Sequence, residues 1–242
     1  MDNIVQREES LSGSLAGGIT LRSIVHSFPV FNRMILIFFR GPRKFIQERP
    51  VDPKIMLNDA FLFFIYSISI SFLLTIPEMM VTHVVITKWQ FLLIFLVGNS
   101  KNGVYTHLCC KASKGKGTFR QTFASILYMG GIVIPIGVIC LMPVQFIVGP
   151  NWLKNDDQFN FDAYSNILKT EIIAGLVVGF LFAVMTSYYL LRWLSYIHKV
   201  PAKRIAGIYL LLMPLFFLVD MFILQPIENI IVPAIIRGLG FL

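Results

Sequence analysis

QTFASILYMGGIVIPIGVICLMPVQFIV, residues 121–148, contains no charged side chain and no histidine. About 20 apolar residues in a helix cross the ~30 Å hydrocarbon core of a bilayer. A helix also satisfies its own backbone where no water is present to do so. Working outward, four similar runs flank this one, at about 58–77, 89–110, 171–191 and 205–224. The whole chain fits that reading. Hydrophobic residues make up 56% and charged residues 14%, whereas a soluble domain carries about 25% charged residues. The expected fold is all-α, a polytopic transmembrane helix bundle of about five spans. Little chain is left over for a separate soluble domain.

The segments between the spans set the rest of the organisation. Residues 1–27 read as a flexible polar head with no signal-type apolar core. Residues 28–56 read as an interfacial amphipathic segment. Its apolar run 34–39 is too short to span, Arg33, Arg40, Arg43 and Lys44 interrupt it, and Gly41-Pro42 breaks it. The five-span domain occupies 57–225. The tail 226–242 is apolar but holds Glu228, Arg237 and two prolines, and is expected at the outer interface.

Lys and Arg fix the orientation. Sixteen lie in the head and interfacial segment (residues 1–56, Arg49 among them), the loop 111–120 and the turn 192–204, which share one side in a five-span layout; four lie on the other side. The positive-inside rule then puts the N-terminus in the cytoplasm and the C-terminus outside or in a lumen. Because the net charge of +8 flanks spans, anionic lipid headgroups are the expected partner and nucleic acid is not.

Lys101 and Asp220 are ionisable groups inside spans, which are costly there and are candidates for function. One reading is a structural ion pair, with Glu78 as a rival partner for Lys101. Another is a substrate or ion path, and a third is an interface with another subunit. Asn99, Asn102 and Thr106 recur at helical spacing and are expected to join helices by hydrogen bonds or to line a cavity. Gly175, Gly179 and Ala183 form a small-residue ladder that allows close helix packing. Cys109, Cys110 and Cys140 form no disulfide framework; free thiols, or acylation of Cys109 and Cys110 in a eukaryotic host, are the two readings. The four histidines fall in separate segments, so no metal site and no cofactor is expected. No phosphate-binding loop or nucleophile elbow is present, and a non-enzymatic role follows.

The run 106–135, THLCCKASKGKGTFRQTFASILYMGGIVIP, resembles the signature stretch of the Yip-domain family, membrane proteins named for interaction with Rab-type GTPases. The matching positions are His107-Leu108, then Gly115, Lys116, Gly117, Thr118, Phe119, Arg120, Gln121 and Thr122, then Pro135. The segment 39–50, FRGPRKFIQERP, is similar to the family's aromatic and proline entry. The resemblance covers about 35–225 and implies five spans, a cytoplasmic head and an outside tail. The compact form is similar to the prokaryotic members, which favours a prokaryotic cell membrane over an ER or Golgi membrane. It brings no catalytic residue. The expected function is a membrane scaffold or adaptor that packs with other membrane proteins or as a homo-oligomer. The rivals are a transporter or channel component using Lys101 and Asp220, and an accessory subunit of a membrane enzyme complex.

Overall fold

The computed structural model describes residues 21–49, 52–82, 88–152 and 166–226. The expectations for residues 1–20 and for the tail beyond 226 lie outside these. The chain divides into two compact units, Met1–Glu48 and Arg49–Leu242. All regular structure among the described residues is helical.

The first unit holds α1 (Leu21–Arg40) and α2 (Pro42–Gln47). Gly41 separates them and Pro42 occupies the first helical position of α2, where its missing N–H costs nothing. Met34, Phe38 and Phe45 are buried, and the Phe38 and Phe45 rings meet edge to face at 5.6 Å. Helix α1 begins at Leu21, within the stretch read from sequence as flexible head.

The second unit holds α3 (Pro53–Thr82), α4 (Lys88–Ala112), α5 (Phe119–Trp152), α6 (Asn166–His198) and α7 (Ala202–Val219), which ends in a π-helical turn, Asp220–Leu224. Helix α3 starts earlier than its apolar run. The Asp52 carboxylate accepts the N–H groups of Lys54 at 2.9 Å and Ile55 at 3.0 Å, a side-chain cap that satisfies two orphan donors. Those same backbone donors hold its pKa below the usual carboxylate range.

Contacts fix the directions. Asp59 meets Tyr128, Phe63 meets Gly131 and Ser67 also meets Gly131, so α3 and α5 advance together and run parallel. His107 meets Thr122 and Asn99 meets Gly130, so α4 runs against α5. Thr122 meets His198 and Tyr128 meets Trp193, so α6 also runs against α5. Lys101 meets Asp220 and Tyr105 meets Phe216, so α7 runs against α4.

Helices α3 and α5 approach closely. A Cβ on Gly131 would lie 2.7 Å from the Phe63 ring, and one on Gly130 would lie 3.2 Å from the Phe64 ring. The hydroxyls near this seam stay within their own helices. Ser67 donates to the Phe63 carbonyl at 3.0 Å, Ser71 to Ser67 at 2.8 Å and Ser125 to Gln121 at 2.9 Å. Small side chains with satisfied polar atoms let the helices approach without stranding a donor.

Among the described residues, four helices are long and apolar enough to cross a membrane: Pro53–Ile76, Phe119–Cys140, Ile173–His198 and Ala202–Leu224. The segment expected as the second span is helical, but α4 is not among these four; Asn99, Ser100, Lys101 and Asn102 make its centre polar. Burial is uneven. It reaches 56% of the apolar stretch of α5 and 39% of that of α3, against 6% for α6 and less still for α7. Helices α6 and α7 are therefore peripheral.

Gly131→Leu is expected to lower stability in detergent by about 1–3 kcal/mol, the usual cost of overpacking. Gly179→Leu, with nothing within 4 Å of its Cβ position, is expected to stay within about 0.5 kcal/mol of wild type. Thermal unfolding followed by size-exclusion recovery checks both.

Candidate functional site

The signature residues converge at the end of the bundle where α4, α5, α6 and α7 meet. Helix α4 closes through Lys114, which holds a left-handed φ of 65°. The Ser113 N–H donates to the Cys109 carbonyl and the Gly115 N–H to the Cys110 carbonyl, at 3.0 and 2.8 Å. Thr118 and Gln121 then open α5 reciprocally. The Thr118 N–H donates to Gln121 Oε1 at 3.0 Å, and the Gln121 N–H to Thr118 Oγ1 at 3.3 Å. This is a capping box.

Between these ends the chain alternates. Ser113, Gly115 and Gly117 are buried, while Lys114, Lys116 and Thr118 are exposed. The inward face rests on His198, the last residue of α6. A Cβ on Gly115 would lie 2.7 Å from His198 Nδ1, and one on Gly117 would lie 2.8 Å from His198 Cε1. Only glycine fits this approach. The Lys116 N–H donates to the His198 carbonyl at 3.0 Å.

Below the turn, Thr122 Oγ1 lies 2.8 Å from His198 Nε2, 3.0 Å from His107 Nδ1 and 3.2 Å from the Thr118 carbonyl. A hydroxyl gives one hydrogen bond and accepts two. Thr122 therefore donates to Thr118 and accepts from both histidines, which places the His198 proton on Nε2. His198 Nδ1 is buried with no partner among the described residues. A lone pair is left there rather than a stranded N–H. His107 also meets the Phe119 ring edge at 5.3 Å.

Thr122 and His198 are fully buried. The chain of bonds ties α4, α5 and α6 together. No cluster of three metal-ligating side chains occurs among the described residues. Cys109 and Cys110 are fully buried, which argues against acylation at these thiols. The outward face is basic: Lys111, Lys114, Lys116, Arg120, Lys199, Lys203 and Arg204 are all exposed, and Phe119 is 43% exposed. Pro135 lies apart from this cluster, buried farther along α5.

A second cluster lies beside the first. Tyr128 donates its hydroxyl proton to Asp59 Oδ2. Arg49 reaches the same oxygen at 3.4 Å and lies 5.7 Å from the centre of the Tyr128 ring. The Trp193 ring lies 5.3 Å from the Tyr128 ring. Sequence reasoning missed Arg49 and counted it with the headgroup-facing residues. It also missed His198, which it treated as one of four scattered histidines. The only sequence signal for the pair is that His107 and His198 both fall at span ends on the basic side.

Lys101 Nζ lies 2.8 Å from Asp220 Oδ1. The Glu78 side chain lies outside those described. The polar stripe on α4 splits: Thr106 is buried, Asn99 lies against Gly130 and Asn102 is exposed. In the small-residue ladder, Ala183 is exposed and Gly179 meets nothing.

Four membrane-length apolar helices, among described residues whose regular structure is all helical, define an integral membrane protein. The Yip1 domain model matches residues 37–224, and the chain belongs to that family. No curated protein and no solved structure matches it.

Gly117→Val is expected to lift the turn off His198 and loosen the end of α4 that carries the buried Cys109 and Cys110. In a Cys140→Ser background, maleimide labelling of Cys109 and Cys110 should be slow in the parent and about tenfold faster or more in the variant. Equal rates would mean that the turn is open already.

Proposed function

We propose that the protein is a non-enzymatic membrane scaffold or adaptor. It packs against other membrane proteins or copies of itself while its basic end lies on anionic lipid headgroups. The alternation of the turn carries this reading. Glycines locked on His198 leave Lys114 and Lys116 facing outward on a rigid base. Each basic residue near an anionic surface is worth about 1 kcal/mol, and Phe119 supplies an interfacial anchor. The sparse burial of α6 and α7 leaves long apolar faces for neighbours, and Gly175, Gly179 and Ala183 supply a close-packing stripe on α6.

Five crossings fit best. Helices α3 and α5 run parallel, so the chain must return between them. Helix α4, with 25 residues, is about 37 Å long and can make that return. Lys101 and Asp220 neutralise each other at its polar centre. An odd count with the basic end inside puts the N-terminus in the cytoplasm and the C-terminus outside or in a lumen. A prokaryotic cell membrane is favoured, with an ER or Golgi membrane as the alternative. The first unit, with exposed Arg33, Leu36 and Phe39, is assigned to the interface. The paired state of Lys101 and Asp220 favours a structural role over an ion path.

Reporters fused to the two termini are expected to read opposite sides; the same side for both would remove the fifth crossing. Gentle crosslinking in native membranes should give discrete higher species, and protein that stays single and partnerless would count against the adaptor role. The triple variant Lys114→Gln, Lys116→Gln, Arg120→Gln should co-purify with about half as much phosphatidylglycerol or less, by lipid mass spectrometry.

A further inference from the structure

The polar stripe on α4 carries an inconsistency that locates a surface. Residues four and seven apart share a helix face, so Asn102, Thr106 and Cys109 point the same way. Cys109 and Thr106 are buried, yet Asn102 is exposed. The bundle therefore closes around α4 towards its basic end and opens at the level of Asn102. Asn99 beside Gly130 and His107 beside Thr122 put this level alongside roughly Tyr128. That is about 14 Å into α5 at 1.5 Å per residue, close to mid-depth of a ~30 Å core.

At the same level, the preceding residue, Lys101, pairs with Asp220 Oδ1. The Asp220 side chain remains 42% exposed, and no donor reaches its second oxygen among the described residues. Asp220 also opens the π-helical turn Asp220–Leu224, a distortion often found at functional positions. Around it, Phe217, Leu218 and Met221 are exposed. Among the described residues, a carboxylate oxygen and an amide thus stand uncovered on an apolar face. Lipid tails cannot hydrogen-bond to them, and leaving such groups unmet in hydrocarbon is costly.

We propose that the face of α4 and α7 around Asn102 and Asp220 docks a transmembrane helix of another membrane protein, one bearing a neutral amide or hydroxyl side chain at mid-depth. Lys101 already neutralises Asp220, so a second cation is not what the site lacks. An Asn, Gln, Ser or Thr on the partner donates to the free Asp220 oxygen. An amide also exchanges hydrogen bonds with Asn102. Phe217, Leu218 and Met221 supply the apolar contact on either side. This inference rests on the adaptor reading and names the partner's chemistry.

The test uses the full-length protein in phosphatidylcholine vesicles, with binding followed by energy transfer. The probes are two synthetic Leu/Ala transmembrane peptides, one with a single central Asn and one without. The Asn peptide is expected to bind wild type about tenfold more tightly. Asn102→Leu, and separately the double variant Lys101→Met/Asp220→Leu, should each cut that preference to about threefold or less while binding of the all-apolar peptide stays unchanged. Asn102 is exposed, so its replacement does not disturb the core. Equal binding of both peptides to wild type, or an undiminished preference in both variants, overturns the proposal. If crosslinked species persist in that case, this surface falls and the adaptor reading stands; if wild type forms none, the adaptor reading itself falls.

Discussion

The contact between two glycines and one histidine governs the basic end of this protein. His198 terminates α6, and the turn joining α4 to α5 lies on its ring so closely that no Cβ fits at Gly115 or Gly117. Thr122 then ties the ring to His107 and thereby to α4. Three helices are fastened through one side chain. With the inward positions taken up by Ser113, Gly115 and Gly117, the lysines between them have only the outward direction left. Packing decides where the charge points.

Polar groups elsewhere in the unit meet the same demand in different ways. Tyr128, whose ring lies beside Trp193, and Arg49 share the Asp59 carboxylate. Breaking such a partly buried arrangement from one side leaves an uncompensated charge, typically a larger loss than the pair itself contributes. The serines of α3 and α5 bond back to their own helices, which keeps the seam at Gly130 and Gly131 narrow. Lys101 and Asp220 meet across α4 and α7, although their distances from the span ends differ. The stacking of Tyr105 on Phe216 at 4.3 Å fixes that register: each lies four residues nearer the basic end on its own helix.

Much of the architecture was legible because apolar runs and basic flanks are read residue by residue. The helical segments, the break at Gly41-Pro42 and the family relationship were all visible in that way. Boundaries were less so. Pro53 begins α3 ahead of its apolar run because Asp52 caps it, and a cap is a geometric event. The turn misleads a simple rule as well. Glycine is the usual left-handed residue after a helix, but Lys114 and Lys199 hold those positions here. The glycines serve close approach instead. His198 and Arg49 were missed because their partners lie 76 and 10 residues away, and a single sequence holds no record of such distances. The polar stripe of α4 looked uniform in sequence; only tertiary packing separates buried Thr106 from exposed Asn102.

The glycine turn acts as a fixed platform, and the Lys116 amide registers whether it stays in place. That N–H donates to the His198 carbonyl across the seam between turn and α6. Amide hydrogen exchange on the full-length protein in lipid nanodiscs should find it exchanging about a hundredfold or more slowly than in an unstructured peptide. Exchange at the unstructured rate would mean the turn is not held on His198, and the platform account would be wrong.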